Sequence, residues 1–175
     1  MADAATGQQG ADRTLVVMRH ARAATGGVHD RDRELTSAGV RDAQQAGSWL
    51  ATNGVVPDLV LCSQATRTRQ TAAAVRDGLL AADASVPPVV ARDEIYHGGI
   101  DELMQVLAQT PATGGSRDVG TVMLIGHEPT MSALSAYLCG QGVSFPPAGM
   151  TVLTTRAPWP ALGASTARLR HHRTP

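Results

Sequence analysis

The chain alternates between short apolar runs and longer stretches in which apolar residues recur at helical spacing. The runs Leu15–Met18, Leu59–Cys62 and Thr121–Ile125 contain hardly any polar side chains, which is typical of strands that are covered on both faces. Shorter runs of the same kind occur elsewhere in the chain. We therefore predict strands over these ranges: Leu15–Met18, Leu59–Cys62, Val89–Val90, Thr121–Ile125, Met150–Thr154 and Ala167–Leu169.

The stretches between these runs predict helices. Thr36 can act as the N-cap of a helix that continues to about Leu50, and Asn53–Gly54 would end that helix. Helical spacing predicts further helices over these ranges: Ala65–Leu80, Ile100–Leu107 and Met131–Leu138. Strands and helices in alternation predict an α/β protein of three layers, in which a mostly parallel sheet lies between two layers of helices.

Composition narrows the class of protein. The chain has 175 residues, of which 43% are hydrophobic, and this is enough for one folded domain with its own core. Residues 1–13 are small and polar, so we expect a disordered N-terminal segment followed by a single domain over residues 14–175. The 15 basic residues, all of them Arg, are balanced by 15 acidic residues, which argues against a nucleic-acid partner.

The sequence contains no signal for a membrane or a metal. No apolar run approaches the roughly 18 residues that a membrane-spanning helix needs, and no secretory leader is visible at the start. The 2 cysteines, Cys62 and Cys139, show neither a metal-binding spacing nor a disulfide framework. We therefore expect a cytoplasmic protein without a membrane partner, a metal ion or a cofactor.

Polar residues follow three of the predicted strands at the point where each strand ends. Arg19–His20 follows the first strand, and Gly126–His127 follows the strand over Thr121–Ile125. Ser63 follows the second strand, and Arg67 lies in the first turn of the next helix. Because the carboxyl ends of parallel strands meet at one edge of a sheet, we expect these two His and two Arg residues to converge there.

This convergence predicts a site for a phosphoryl group. Taken singly, a His after a strand or an Arg in a helix is usually structural, so the prediction depends on the combination. Four cationic or cation-capable groups without a matching carboxylate cluster call for an anion. Two guanidinium groups can hold phosphoryl oxygens, and a neutral imidazole is a competent nucleophile.

Three motifs in this order resemble the histidine phosphatase superfamily, also called phosphoglycerate mutase-like or RHG. Its Arg-His-Gly, Ser-x-x-x-Arg-x-x-Gln-Thr and Gly-His patterns are matched at residues 19–21, 63–71 and 126–127. A further stretch is similar to the Asp-x-x-Arg-x-Leu-Thr-x-x-Gly segment of the small SixA-type phosphohistidine phosphatases, with these matches: Asp30, Arg33, Leu35, Thr36 and Gly39. The resemblance implies a phosphoglycerate mutase-like fold with no large helical insertion.

The resemblance also implies a role for each matched residue. His20 would be the phosphorylated nucleophile of a metal-independent phosphatase. Arg19 and Arg67 would bind the phosphoryl oxygens. His127 would complete the pocket by donating to the phosphoryl group, and the backbone N–H of Glu128 would assist. All of these residues are expected to act at the shared edge of the sheet.

Two departures from the family pattern are informative. Ala21 stands where many members have Gly, so a Cβ must fit beside the nucleophile. The Glu, Thr and Asn of the mutase branch are replaced by Arg22, Ala23 and Gly26, which argues against a phosphoglycerate mutase. The sequence leaves open whether Arg22 attracts an acidic substrate surface or is merely solvated.

The general acid is the least defined part of the predicted site. Glu94 matches the position near the end of the third strand where many members carry their acid, and Asp93 is the second candidate. A solvated pair of carboxylates is an equally good interpretation of these residues. His97 lies nearby and is a further candidate for lining the site. An imidazole leaves phosphorus more easily than an alkoxide does, so phosphohistidine would reduce the need for an acid.

The sequence therefore favours a phosphatase that removes phosphate from phosphohistidine in a protein. Without a large insertion after Arg67, the site would be open to a macromolecular surface, and a phosphohistidine-bearing protein is the expected partner. One alternative is a phosphatase of small phosphate esters. Another is a module that binds phosphate without turnover.

Overall fold

The structure, a computed structural model, describes residues 12–26, 29–110 and 119–175. In chain order, the strands of its sheet are β1 (Arg13–Arg19), β2 (Leu59–Ser63), β3 (Val89–Arg92), β4 (Thr121–Gly126), β5 (Met150–Thr155) and β6 (Arg168–Arg173). The helices are α1 (Ser37–Thr52), α2 (Thr66–Ala81), α3 (Glu94–His97), α4 (Ile100–Ala108) and α5 (Thr130–Cys139). Among the described residues, 3-10 turns lie at Asp30–Asp32 and Trp159–Ala161.

The strands form one six-stranded sheet in the order β3-β2-β4-β1-β5-β6. Strands β3, β2, β4 and β1 are parallel, whereas β5 is antiparallel to β1 and β6 is antiparallel to β5. The prediction of a mostly parallel sheet is therefore confirmed. Ile125 of β4 pairs with Met18 of β1 and with Cys62 of β2. These three strands consequently end side by side, and the residues that follow them lie at one edge.

Alternate residues of β1 face two different cores. Leu15 and Val17 pack with buried residues of α4 and α5, whereas Val16 and Met18 pack with buried residues of α1 and α2. All four side chains are almost completely buried. Helices thus cover both faces of the sheet, and the predicted arrangement of three layers is confirmed.

The predicted helices and strands are present, with small differences at their ends. Helix α1 begins after Thr36, whose Oγ1 accepts a hydrogen bond from Gly39 N–H at 3.0 Å. Strand β1 begins at Arg13, the last residue of the segment over residues 1–13 that is predicted to be disordered. Residues 1–11 of that segment lie outside the described residues, so its predicted disorder stays a prediction. The assignment of residues 14–175 to a single domain stays a prediction.

Two features of the chain bear on access to the sheet edge. From β2 to β3 every residue is described, and no helical insertion interrupts α2 between them. Helix α3 has no counterpart among the predicted helices, because its four residues are too few to show a helical repeat.

A search of the described helices for a membrane span found none with the length and the apolar character that a span requires.

Candidate active site

His20 is the first residue after β1, and its backbone is fixed from two sides. Its N–H donates to the carbonyl oxygen of Gly126 at 2.9 Å, and its own carbonyl oxygen accepts from Ala148 N–H at 3.1 Å. Only 9% of the residue is exposed. The neighbouring strand β4 and the turn before β5 therefore hold His20 at the edge of the sheet where the sequence predicted it.

The hydrogen bonds of His20 define its tautomer. Nδ1 lies 2.8 Å from the carbonyl oxygen of Ala21, which can only accept, so Nδ1 carries the hydrogen. Nε2 lies 3.3 Å from Nε of Arg67, which can only donate, so Nε2 holds a lone pair. Burial, together with the charges of Arg67 and Arg19, lowers the pKa of His20 to about 4. The ring is thus neutral at pH 7, with an unprotonated nitrogen in a cationic pocket.

Arg67, in the first turn of α2, connects both histidines to a carboxylate. Besides its contact with His20, a terminal nitrogen (NH2) donates to Nδ1 of His127 at 3.2 Å and to Oδ2 of Asp30 at 2.9 Å. The other terminal nitrogen donates to the backbone carbonyl oxygen of Asp30. The Arg67 residue is only 5% exposed. Its guanidinium orientation is therefore determined by several directional contacts.

His127 holds the opposite tautomer to His20. Its Nδ1 accepts from Arg67, so in the neutral ring Nε2 carries the hydrogen and donates to Oγ of Ser63 at 2.7 Å. Ser63 in turn lies 2.7 Å from the hydroxyl of Thr68. Burial and the charge of Arg67 lower the pKa of His127 to about 3. The predicted donation from His127 to a phosphoryl group would therefore need a second proton, on Nδ1.

Arg19 lies close enough to both rings for its charge to lower the pKa of His20 and of His127. The ring centroids of His20 and His127 are 5.2 Å apart. Arg19 is anchored by a hydrogen bond from a terminal nitrogen to the carbonyl oxygen of Phe145 at 2.9 Å. Its Nε is buried and has no hydrogen-bond partner within the described part of the chain. Arg19 consequently retains N–H donors that an anion beside His20 could accept.

Asp30 places a carboxylate beside the cations at this edge. The sequence had led us to expect no matching carboxylates there. Oδ2 of Asp30 accepts hydrogen bonds from Arg67 and from the hydroxyl of Tyr96, the latter at 2.8 Å. Its Oδ1 accepts from Arg33 at 3.0 Å. The hydrogen bond from Tyr96, followed by those from Arg33 and Arg67, lowers the pKa of Asp30 to about 2. Asp30 is thus ionised at neutral pH.

Tyr96, in α3, is a site residue that the sequence analysis missed. Its ring stands edge-on to that of His127, with centroids 5.3 Å apart and an angle of 87°. The guanidinium carbon of Arg31 lies 5.3 Å from the Tyr96 ring centroid. A single aromatic residue in an unpredicted helix gives no pattern that could reveal this position. Asp30, by contrast, stood in the family-like motif and could have been singled out.

The two predicted candidates for a general acid are engaged elsewhere. The exposed carboxylate of Glu94 accepts from Arg92 at 2.9 Å, and this hydrogen bond lowers the pKa of Glu94. Asp93 accepts from Arg31 at 2.5 Å. Within the described ranges, neither carboxylate is a hydrogen-bond partner of His20 or His127. A lowered pKa is the opposite of what a general acid needs, so the contact with Arg92 counts against that role for Glu94.

Three further sequence candidates lie at or near this edge. The carboxylate of Glu128 accepts from the backbone N–H of Ser132 at 3.0 Å and from its hydroxyl at 2.6 Å. The role predicted for the Glu128 backbone N–H stays a prediction. His97 packs edge-on against Tyr96, with ring centroids 4.5 Å apart. The Arg22 side chain is 61% exposed, which favours the solvated alternative.

The remaining motif residues hold the loop that follows His20. The backbone N–H of Ala21 donates to Oγ1 of Thr71 at 3.0 Å, and that of Leu35 donates to Oε1 of Gln70 at 2.7 Å. The Gln-Thr pair of α2 thus fastens both ends of the loop that carries Asp30. Ala21 itself is fully buried, and its Cβ is accommodated in the core.

The comparisons with known proteins agree with this geometry. The model of the histidine phosphatase superfamily (branch 1) matches residues 15–95. An uncharacterized protein of Mycobacterium tuberculosis is 34% identical over 154 residues, which cover 81% of this chain and 89% of that protein. The chain therefore belongs to the histidine phosphatase superfamily, and it is a phosphatase with a phosphoglycerate mutase-like fold.

Solved structures define the branch more closely. A structure assigned as the phosphohistidine phosphatase SixA of Nakamurella multipartitia has 36% sequence identity and a TM-score of 0.79, covering 96% of this chain and 99% of that chain. A structure assigned as SixA of Agrobacterium tumefaciens has 29% sequence identity and a TM-score of 0.74. The match covers 93% of this chain and 98% of that chain. The protein is thus of the SixA type, as the Asp30–Gly39 motif predicted.

Proposed function

We propose that this phosphatase removes phosphate from phosphohistidine in a protein and that His20 carries the phosphoryl group between two steps. The observation that carries the proposal is the tautomer of His20. Its Nε2 lone pair lies beside the guanidinium of Arg67, while Nδ1–H is bound to the carbonyl oxygen of Ala21. The similarity to structures assigned as phosphohistidine phosphatases supports the choice of substrate.

In the first step, the hydrogen bond from Arg67 Nε to His20 Nε2 breaks, the freed Nε2 lone pair forms a bond to phosphorus, and the P–N bond to the substrate imidazole breaks. The electron pair of that bond goes to the substrate nitrogen, and a substrate ring protonated on its other nitrogen leaves as neutral imidazole. Arg19 and Arg67 offset the negative charge on the phosphoryl oxygens as the group is transferred. No general acid is required in this step.

In the second step, water attacks phosphorus, and the P–N electron pair returns to His20 Nε2. Phosphorylated His20 is an imidazolium because Nδ1 keeps its hydrogen, and the Ala21 carbonyl oxygen stabilises that cation. His20 therefore leaves as a neutral imidazole of the starting tautomer. The water loses a proton to a phosphate oxygen or to solvent, which completes the balance.

A panel of substrates tests the proposal. Wild-type protein and His20→Ala would each be given a protein that carries phosphohistidine, an aryl phosphate and several sugar phosphates, with phosphate release measured. We expect the highest kcat/KM on the phosphohistidine protein and no turnover by His20→Ala. Much faster turnover of an ester would favour the alternative, a phosphatase of small phosphate esters.

A trapping experiment tests the intermediate. The enzyme would be mixed with substrate labelled in the phosphoryl group and denatured within milliseconds at alkaline pH, at which phosphoramidates survive. Label is expected on His20 and on no residue of His20→Ala. If neither label nor phosphate release is found, the alternative of a module that binds phosphate without turnover is favoured.

A further inference from the structure

Asp30 brings a negative charge into contact with the group that is proposed to bind phosphate. His20 contacts one side of the Arg67 guanidinium and Asp30 contacts another, so a single side chain separates the carboxylate from the proposed nucleophile. A carboxylate in this place repels any phosphoryl dianion. That cost to substrate binding needs an explanation in the chemistry of the substrate.

The hydrogen bonds of Asp30 leave it able to accept another. An ionised carboxylate has about four acceptor positions. Side chains occupy three of these positions. Arg67 and Tyr96 donate to Oδ2, and Arg33 donates to Oδ1. The Asp30 side chain is 55% exposed, so the remaining position on Oδ1 is open to a ligand. A pKa of about 2 keeps the group ionised throughout the neutral range.

The leaving group of phosphohistidine has the complementary properties. When its ring is protonated on the nitrogen that bears no phosphorus, it is both a cation and an N–H donor. The leaving oxygen of a phosphate ester offers no such donor and becomes more negative as the bond to phosphorus breaks. A fixed carboxylate therefore attracts the first leaving group and repels the second.

We infer that Asp30 determines specificity for an imidazole leaving group by accepting a hydrogen bond from its protonated nitrogen. The inference rests on the proposed function and adds to it a residue that selects the substrate. Asp30 transfers no proton in this scheme. The N–H remains on the departing ring, and the electron pair of the broken P–N bond goes to the other ring nitrogen.

The test compares two substrates in three forms of the enzyme. Asp30→Asn removes the charge but retains an oxygen that can accept from Arg67, and Asp30→Glu retains the charge. The values of kcat/KM would be measured on a phosphohistidine protein and on an aryl phosphate ester, with circular dichroism as a check of folding. A hydrogen bond to a charged group corresponds to about 10- to 100-fold. We expect Asp30→Asn to lower the ratio of phosphohistidine to ester activity by this factor, and Asp30→Glu to lower it less.

Asp32→Asn is the matched control, because it removes an exposed carboxylate from the same 3-10 turn. The ratio of phosphohistidine to ester activity in this control should stay near that of the wild type. Equal losses on both substrates in Asp30→Asn would overturn the inference, since Asp30 would then only position Arg67. Failure of the wild type itself on phosphohistidine would overturn the proposed function as well, so the two failures are distinguishable.

Discussion

The Nε–H group of Arg67 points at the lone pair of His20 Nε2 across 3.3 Å, so the proposed nucleophile and the proposed phosphate clamp hold each other in place. Arg67 is buried, and its charge is one of the causes that lower the pKa of His20. The same guanidinium thus helps to keep the imidazole neutral and is the proposed clamp for a phosphoryl group. Removing it should affect the transfer step more than the fold.

We expect Arg67→Ala to lower kcat by about 10²- to 10³-fold, because one donor aimed at developing charge contributes ~3 kcal/mol. The matched control is Arg69→Ala, which removes an exposed guanidinium from the same turn of α2. Steady-state kinetics of both variants would measure the effect. Similar rates in the two variants would contradict the placement of the clamp.

The pKa of His20 predicts an unusual protonation profile. Because its pKa is lowered from 6.5 to about 4, Nε2 should keep its lone pair at all pH values above about 4 and gain a proton only below that value. Titration of the imidazole nitrogens by ¹⁵N NMR would follow this directly. A midpoint near 6.5 would show that burial and the neighbouring cations do not act on His20 as inferred.

Lowered histidine pKa values also predict a loss of stability in acid. Between pH 6.5 and about 4 the unfolded chain binds protons at positions 20 and 127 that the folded protein does not bind. The free energy of unfolding should therefore fall as the pH falls through this window. Urea denaturation at several pH values would measure the slope, which should be shallower in a folded His127→Gln variant.

Glu94→Gln tests whether Glu94 is the general acid or a solvated carboxylate. Glu94 is exposed and paired with Arg92, so we expect less than a threefold change in kcat on either phosphohistidine or an ester. General acid–base catalysis contributes typically ~10²- to 10⁴-fold. A loss of that size, confined to ester substrates, would restore Glu94 as the acid.

Gly39→Ala tests how the loop that carries Asp30 is fixed. A Cβ at Gly39 would lie 2.2 Å from the carbonyl oxygen of Arg22, a backbone atom that cannot move without shifting the loop. We expect the variant to lose about 1–3 kcal/mol of stability in urea denaturation. The control is Gly142→Ala, whose Cβ would meet no atom within 4 Å. Equal stability of the two variants would contradict this packing.

The parts of the site that follow strands could be predicted, because strand order and direction alone bring them together. His20, Arg67 and His127 are far apart in the chain. They nevertheless meet, because the strands that precede them, β1, β2 and β4, are neighbours in the sheet. The contact between Tyr96 and Asp30 spans 66 residues and joins a 3-10 turn to a four-residue helix. Neither element has a sequence repeat, so no local pattern could predict that contact.

The paired tautomers of the two histidines determine which protons the site can give away. His20 directs its hydrogen to Ala21 and His127 directs its hydrogen to Ser63, so both lone pairs, and neither N–H, lie beside Arg67. The guanidinium does not lose a proton at physiological pH. The pocket is therefore rich in hydrogen-bond donors but has no transferable proton on these rings beside Arg67. Such a pocket suits a substrate whose leaving group already carries a proton, as the proposed phosphohistidine substrate does.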